Sequence, residues 1–591
     1  MKVITFFLTT LLTLFAVETA RAQFGKKYTA SLFTPPTVDG ARYYGSGQLF
    51  ALAHMNASNE RAYVFINNTT GERQAVFRLT TQASRHGALV SPDGCEILVA
   101  GSETTNSQPV FFAGRYNATN LAVIGQMQIN TNSTGGFNLN GEVSPDGNFL
   151  FGGVNTLLAA HVVAKYGTNF LPKWGTTLKY HGAYALGGTE VYPLPNGDVG
   201  FSFVFQGFGG AGFLYTNVVG LLDGNSGLLK WSGTTIASQT GTYADEVKLV
   251  FGPDGSLLIT KERISFTSGS TNYIGVARVN PNGTLAYSKT LTVTGAAYEL
   301  SCYLGGDAFF CFLFNSGGND RVQFVVLDEN GNVNVNNALN CDLGSRGLTA
   351  ARREGTEMLF VRMQCNIIPT PEHSLIRINL TNGVMDLRKL PAPGLGVEEY
   401  NLVTTPEGDS FGEQFSPPGF AAVTTAIVGD TDGLGGNGSV GFYELPCDGS
   451  FPTCISLTTS SVNAGTPLAT SLANESHINL ADGATAGTNA MPGMTTPLHT
   501  PVLQSLTVTE STICPDDGAN CTPAGGDTPV LTIGHAPPGQ ATISWTPATP
   551  GFVLQERTSL TSGSWSNAPS GSTNPITVPA TLTTKFYRLF K

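Results

Sequence analysis

Two turn signals alternate along this chain, and together they confine it to a repeated antiparallel sheet. The first is Ser91-Pro92-Asp93-Gly94, Ser144-Pro145-Asp146-Gly147, Pro195-Asn196-Gly197, Pro253-Asp254-Gly255 and Pro406-Glu407-Gly408. Proline presets φ early in such a turn, and glycine accepts positive φ at its end. Apolar β-type runs flank these turns, as in KLVFGPDGSLLIT, which is a hairpin signature. The second signal comes later in each unit, as strand, polar turn and strand. It reads VVGLLDGNSGLLKWSGTT, IGVARVNPNGTLAYSKTLTV, FVVLDENGNVNVNNAL and SLIRINLTNGVMDLRKL. Alternation at period two marks half-buried strands. Counting four residues past the turn glycine aligns Trp231, Tyr287, Val335 and Leu387, with weaker matches at Ala75, Val123, Trp174 and Thr453. Successive anchors lie 48, 51, 57, 56, 48, 52 and 66 residues apart.

Two hairpins per period make a four-stranded unit that cannot bury its own faces. The fold class expected is all-β: a seven- or eight-bladed β-propeller over residues 23–460, eight preferred, with a small C-terminal β-sandwich. The alternative is a string of independent sandwiches. Composition agrees with a β-rich, glycine-turned chain. It has 71 Gly, 33 Pro and 41% hydrophobic residues, while charged residues are 12%, about half the usual share. A net charge of −11 argues against phosphate-backbone binding, which leaves a basic footprint, so no nucleic-acid partner is expected.

The first 22 residues read as a signal peptide: Lys2, an apolar run from Val3 to Val17, and the small-x-small site Ala20-Arg21-Ala22. No later stretch has 18 consecutive apolar residues, so no transmembrane segment is expected in the mature chain, which is read as secreted or surface-held. Export favours disulfides. The candidate pairs are Cys302/Cys311, Cys341/Cys365, Cys447/Cys454 and Cys514/Cys521, with connectivity open and Cys95 left over as a small buried hydrophobe. Residues 461–530, rich in Thr, Ser and Gly, read as a linker with a short disulfide loop. Residues 531–591 have short alternating strands between Pro and Gly turns, the pattern of a sandwich module.

The segment Gly220-Leu221-Leu222-Asp223-Gly224-Asn225-Ser226-Gly227-Leu228-Leu229-Lys230-Trp231 resembles the repeat of quinoprotein-like (PQQ-like) propellers. Ser-Pro-Asp-Gly resembles the turn of TolB-like propellers, and the NPNGTLAYSKTL run resembles the repeat of large exported bacterial propeller proteins. The closing phrase Phe586-Tyr587-Arg588-Leu589 resembles the end of the terminal sandwich modules of such proteins. The resemblance implies a propeller, and implies an attachment or sorting role for the last module. The vicinal cysteine pair of the cofactor-using quinoproteins is missing, so the quinone is not carried over.

The chemistry-bearing pattern is acidic. Glu190, Glu246, Glu299, Glu399 and Glu142 open the first strands of their units, at 7, 9, 7, 9 and 5 residues before the turn glycine. Odd spacings share a face of a strand. Carboxylates gathered at one channel mouth would raise each other's pKa or recruit a cation. Ordinary strand-start capping by solvated acids is the alternative. Asp430, Asp432 and Asn437, in a glycine-rich loop, offer hard oxygen donors that suit Ca²⁺, although the loop lacks the terminal bidentate Glu of an EF-hand. No G-x-S-x-G or H-E-x-x-H stands out. His181, beside Tyr180, is read as a surface or packing histidine, with the channel mouth as the alternative. The reading is a binding scaffold for an extracellular polysaccharide or protein. The alternative is a carbohydrate hydrolase or lyase using two channel carboxylates.

Overall fold

The computed structural model describes the strands and tight turns between Gly25 and Phe590. Residues 1–24, 30–39, 131–139, 182–188, 266–272, 341–348, 390–400, 404–425, 430–438, 445–456, 489–501 and 515–529, with shorter loop stretches, lie outside the described residues. Every described regular element is a strand. The chain divides into two units, one reaching Asn520 and one formed by residues 521–591 with 354–356.

The first unit is a β-propeller. Its strands form antiparallel meanders in chain order: blade 1 (40–79), blade 2 (85–130), blade 3 (140–179), blade 4 (190–239), blade 5 (243–293), blade 6 (296–340) and blade 7 (349–389). A closing sheet follows, ordered Asn401–Val403, Ala426–Gly429, Ser439–Glu444, and then the N-terminal strand Gly25–Thr29. Blades 4 and 5 share a single register pair, Gln239 with Ala244. First strands of successive blades touch one another, as Asn140–Val143 touches both Arg85–Val90 and Glu190–Pro193. The closing sheet's Asn401–Val403 touches the first strands of blades 7 and 1. The first strands therefore line the inside of a ring.

The turns of the first hairpin form as expected. Gly94, Gly147, Gly197 and Gly255 each donate an N–H to the carbonyl three residues back, and each has φ between 71° and 90°. The Pro406-Glu407-Gly408 turn lies outside the described residues.

The second hairpin turns bind one blade to the next, which explains the repeat. Gly227, Gly283 and Gly331 have φ of 71°, 81° and 72°. A Cβ on each would strike Trp174, Trp231 and Tyr287 respectively, the anchor aromatic of the preceding blade. Two residues past the anchor, a donor reaches the same turn's glycine carbonyl. Thr176 Oγ1 donates to Gly227 O (2.6 Å), Lys289 Nζ to Gly331 O (2.6 Å) and Asn337 Nδ2 to Gly383 O (2.5 Å). Where the anchor is small, the turn is large. In blade 2 the residue after the bulge, opposite Arg115, is Gly125, so Gly125 replaces Val123 as the anchor. A Cβ on Gly125 would strike Phe170, which holds the positive-φ turn position of blade 3 at 61°. Leu121 holds that position in blade 2 at 60°, and it packs on the core cluster that contains Ala75. Leu387 is opposite Ile376 in blade 7. Thr453 lies outside the described residues.

The stretch read as a linker is an outer layer instead. Thr458–Thr459 pairs with blade 7, Asn463–Gly465 with blade 6, Thr470–Asn474 with blade 5, and Thr485–Thr488 with blade 3. Asn479 forms a β-bridge with Thr234 of blade 4. Leu503–Ser505 then pairs with blade 1 and Thr509–Cys514 with Gly25–Thr29 of the closing sheet. The order runs backward around the ring, antiparallel throughout. Outermost strands present unpaired N–H and C=O groups, and the segment satisfies them. Val462, Ile478, Ala484 and Leu503 are buried in core clusters with blade residues. Each such burial contributes about 1–3 kcal/mol. These sparse apolar positions carry the docking, and a Thr/Ser-rich composition conceals them.

The second unit has two three-stranded sheets, Val530–His535/Gln540–Thr546/Ile576–Pro579 and Ser566–Asn567/Val553–Arg557/Phe586–Phe590. Both contribute to one core of Ile543, Trp545, Leu554 and Ala568. Tyr587, from the closing phrase of the sequence, packs against it, and Arg588 Nε donates to Gln555 Oε1 at 3.0 Å.

Candidate functional site

The glutamates fall on the innermost strands. Glu142 is on Asn140–Val143, Glu190 opens Glu190–Pro193, Glu246 is on Tyr243–Phe251 and Glu299 is on Ala296–Leu304. Glu399 lies outside the described residues. They do not share one environment. Glu142 is 2% exposed, opposite Leu150. Glu190 is half-buried opposite Ser202, and its Oε2 accepts from Tyr192 Oη at 2.5 Å. Tyr192 Oη is also 2.9 Å from Ser202 Oγ. Glu299 falls where the register shifts, between Tyr298 opposite Phe312 and Leu300 opposite Cys311. A bulge residue has no partner in the ladder, so counting parity back from the turn does not carry through it.

Blade 5 supplies an acidic position that the turn count does not reveal. Its register places Glu246 opposite Glu262, while one step further from the turn Asp245 is opposite Arg263. Directly opposed residues share a face with Cβ atoms about 5 Å apart, and like charges there are unfavourable unless offset. The signal was in the sequence, as the KER run at 261–263, but the pairing required the hairpin register.

The repeat motifs contribute to packing instead. Lys165, buried on the third strand of blade 3, gives its ammonium to Asp146 Oδ2 (2.8 Å) and to the Gly224 carbonyl of blade 4 (3.1 Å). Trp174 Nε1 donates to the same carbonyl at 2.9 Å. Arg115 and Arg278 hold equivalent positions and donate to Thr168 O (3.1 Å) and Glu329 O (3.0 Å) of the following blades. Burial pushes the Asp146 carboxyl up, but Lys165, the Ser144 hydroxyl and the Asn148 N–H outweigh it and hold the group at about 2. The tryptophan motif of the quinoprotein-like segment is therefore part of a joint between blades: Trp231 lies under Gly283.

Two of the histidines, His161 and His181, lie away from the channel. His161 is fully buried between blades 3 and 4, stacked on Phe203 with ring centroids 3.9 Å apart. Thr189 Oγ1 donates to Gly153 O (2.8 Å), so His161 Nδ1 is the donor to Thr189 Oγ1 (2.8 Å). His181 follows the outermost strand of blade 3, is exposed, and meets Asp482 of the outer layer at 3.1 Å. That places it at the ring's outside, away from the channel mouth.

The cysteines are placed differently from the expectation in two cases. Cys95, directly after the positive-φ Gly94, is exposed. Cys311 is a buried thiol and is not bonded to Cys302, which the register puts opposite Phe309 on the neighbouring strand. Cys365 is on Met358–Cys365 and Cys514 on Thr509–Cys514; Cys341, Cys447, Cys454 and Cys521 lie outside the described residues. The loop with Asp430, Asp432 and Asn437 lies outside them too. Among the described residues, no three His, Cys, Asp or Glu side chains cluster closely enough to hold a metal ion. No helix there is long and apolar enough to cross a membrane.

The ring of meanders defines the chain as a β-propeller protein. No protein-family model matches it and no curated protein matches it. Among solved structures it is similar to the β-propeller domain of the trilobed protease from Pyrococcus furiosus, at 10% identity and a TM-score of 0.31, over 60% of this chain and 97% of that one. It is similar to a eukaryotic initiation factor at 11% identity and a TM-score of 0.31, over 62% and 96%. It is also similar to the Synechocystis apocarotenoid oxygenase at 10% identity and a TM-score of 0.24, over 77% and 93%. The fold assignment rests on strand order and register alone.

Proposed function

We propose that this chain is an exported, eight-bladed propeller that acts as a binding scaffold, secreted or held at the cell surface. Its ligand is an extracellular polysaccharide or protein, taken at the mouth of the central channel with Ca²⁺ as the accompanying cation. The last unit serves as an attachment module. The observation that carries this reading is the register of blade 5, with Glu246 opposite Glu262 on the two innermost strands. A cation or a polar ligand donating hydrogen bonds would offset that like-charge pair. Glu190, on the first strand of the preceding blade, adds a carboxylate already accepting from Tyr192.

The test is thermal unfolding of the chain from Gln23 onward, against Ca²⁺, EDTA and a panel of glycans. A ligand that binds only the folded state raises the midpoint, by about 2.7 kcal/mol in stability at a hundredfold excess over Kd. A Ca²⁺-dependent rise abolished by Glu246→Gln supports the channel site. An unchanged midpoint with every compound removes the cation and the glycan, and leaves the carboxylates as strand-start residues.

A further inference from the structure

Within each of blades 1 to 7, neighbouring strands are also consecutive in the chain. The closing sheet is different: Gly25–Thr29 and Ser439–Glu444 are distant in the chain and pair over five residue pairs. The other edge of Gly25–Thr29 is taken by Thr509–Cys514 of the outer segment. We propose that the outer segment, in its described stretches 462–488 and 502–514, is a clasp: anchored on blades 1 and 3 to 6, it holds the ring shut from outside, and its release opens the ring between Gly25–Thr29 and Ser439–Glu444.

The blades carry built seats for this segment. In blade 6, the fully buried Gln323 takes both backbone groups of Leu468: its Oε1 accepts from the N–H (2.8 Å) and its Nε2 donates to the carbonyl (3.2 Å). In blade 5, Gly275 leaves room that the His477 ring fills, and any Cβ there would overlap the ring. The His477 backbone N–H donates to Ser288 Oγ at 2.9 Å, and its Nε2 is 2.9 Å from Thr290 Oγ1. Thr290 Oγ1 also donates to Glu475. In blade 4, Thr234 and Asn479 exchange backbone bonds of 3.0 and 2.8 Å, and the Ala484 N–H donates to Ser232 Oγ at 2.9 Å. In blade 3, Tyr180 Oη donates to Asp482 Oδ2 at 2.8 Å. These side-chain seats are specific to one register. A set of edge covers serving only to hide unpaired strands needs no such seats.

The experiment uses the full chain with a specific protease site inserted within residues 445–456, cut after folding. The cut chain is taken through increasing urea, and hydrogen exchange is read at Ala426–Gly429 and Ser439–Glu444. Both strands belong to the closing sheet, and neither pairs with the outer segment. A clasp requires that the segment leaves and these strands lose protection in one step, sub-global or global, with exchange faster by about tenfold or more. Departure of the segment with protection there unchanged overturns the proposal. In the uncut chain, Gln323→Ala combined with His477→Ala is expected to speed exchange at the same two strands. Faster exchange confined to blades 5 and 6 would instead mark independent edge strands.

Discussion

Single residues set the tolerances of this ring. At Gly224 a Cβ would overlap the Gly197 carbonyl oxygen, which is backbone and has no room to give. Gly224→Ala is expected to destabilise by about 3 kcal/mol or more, as a lowered urea midpoint with an unchanged slope. Gly94, by contrast, has positive φ, at 71°, and open space around it. Gly94→Ala therefore costs only the backbone penalty of about 1 kcal/mol, and equal losses at the two sites would refute the packing argument. His161 gives a pH signature. Burial pushes its imidazole down to about 4, from 6.5 in an unfolded chain. Between those values the unfolded chain binds the proton and the folded chain does not. Stability thus falls as pH drops from 6.5 to about 4, by about 3 kcal/mol in total. Asp146, held at about 2, has the same sign but acts lower, with stability lost below its ordinary 3.8. His161→Asn keeps a donor for Thr189 and does not titrate, so urea midpoints should flatten across the upper window while the lower one remains.

At the scale of strands and turns, the repeat is a size-matched joint. Trp174, Trp231 and Tyr287 face glycines, and Gly125 faces Phe170. Phe170 is further stacked on Phe149 at 5.6 Å. Phe170→Gly alone leaves a hole and Gly125→Trp alone overpacks, and each is expected to cost about 2–4 kcal/mol. Combined, they reproduce the joint seen at Trp174 and Gly227, so the double variant should recover part of the loss. A double-mutant cycle with no coupling would show that the two residues do not meet. The turn-plus-four anchor was legible in the sequence wherever the turn carries glycine. In blade 2 the anchor is Gly125 and not Val123, because the positive-φ residue there is Leu121, which no turn rule expects. The inner glutamates were legible as strand-start residues. The Glu246–Glu262 opposition was not, since it depends on the hairpin register.

At the scale of the whole molecule, closure is the organising event. Because the outer segment buries Val462, Ile478, Ala484 and Leu503 at separate blades, changing Ile478 and Leu503 together to Ser should lower the propeller's thermal midpoint by several degrees. The same change should leave a transition of the C-terminal unit, with its own core around Trp545, unmoved in calorimetry. A shift of both transitions would contradict separate cores. The strand period, the positive-φ turns, the four-stranded unit and the acidic first strands were legible before any fold was known. Each of these depends on residues a few positions apart, where proline, glycine and alternation act locally. Tertiary structure alone decided that Gly25–Thr29 joins Ser439–Glu444, that Trp231 lies under Gly283, and that a Thr- and Ser-rich stretch becomes the outer strand of blade after blade. Those pairings match groups hundreds of residues apart or on different blades. A strand edge accepts any backbone, so the partner is fixed by which side chains fit the seats the ring has already built.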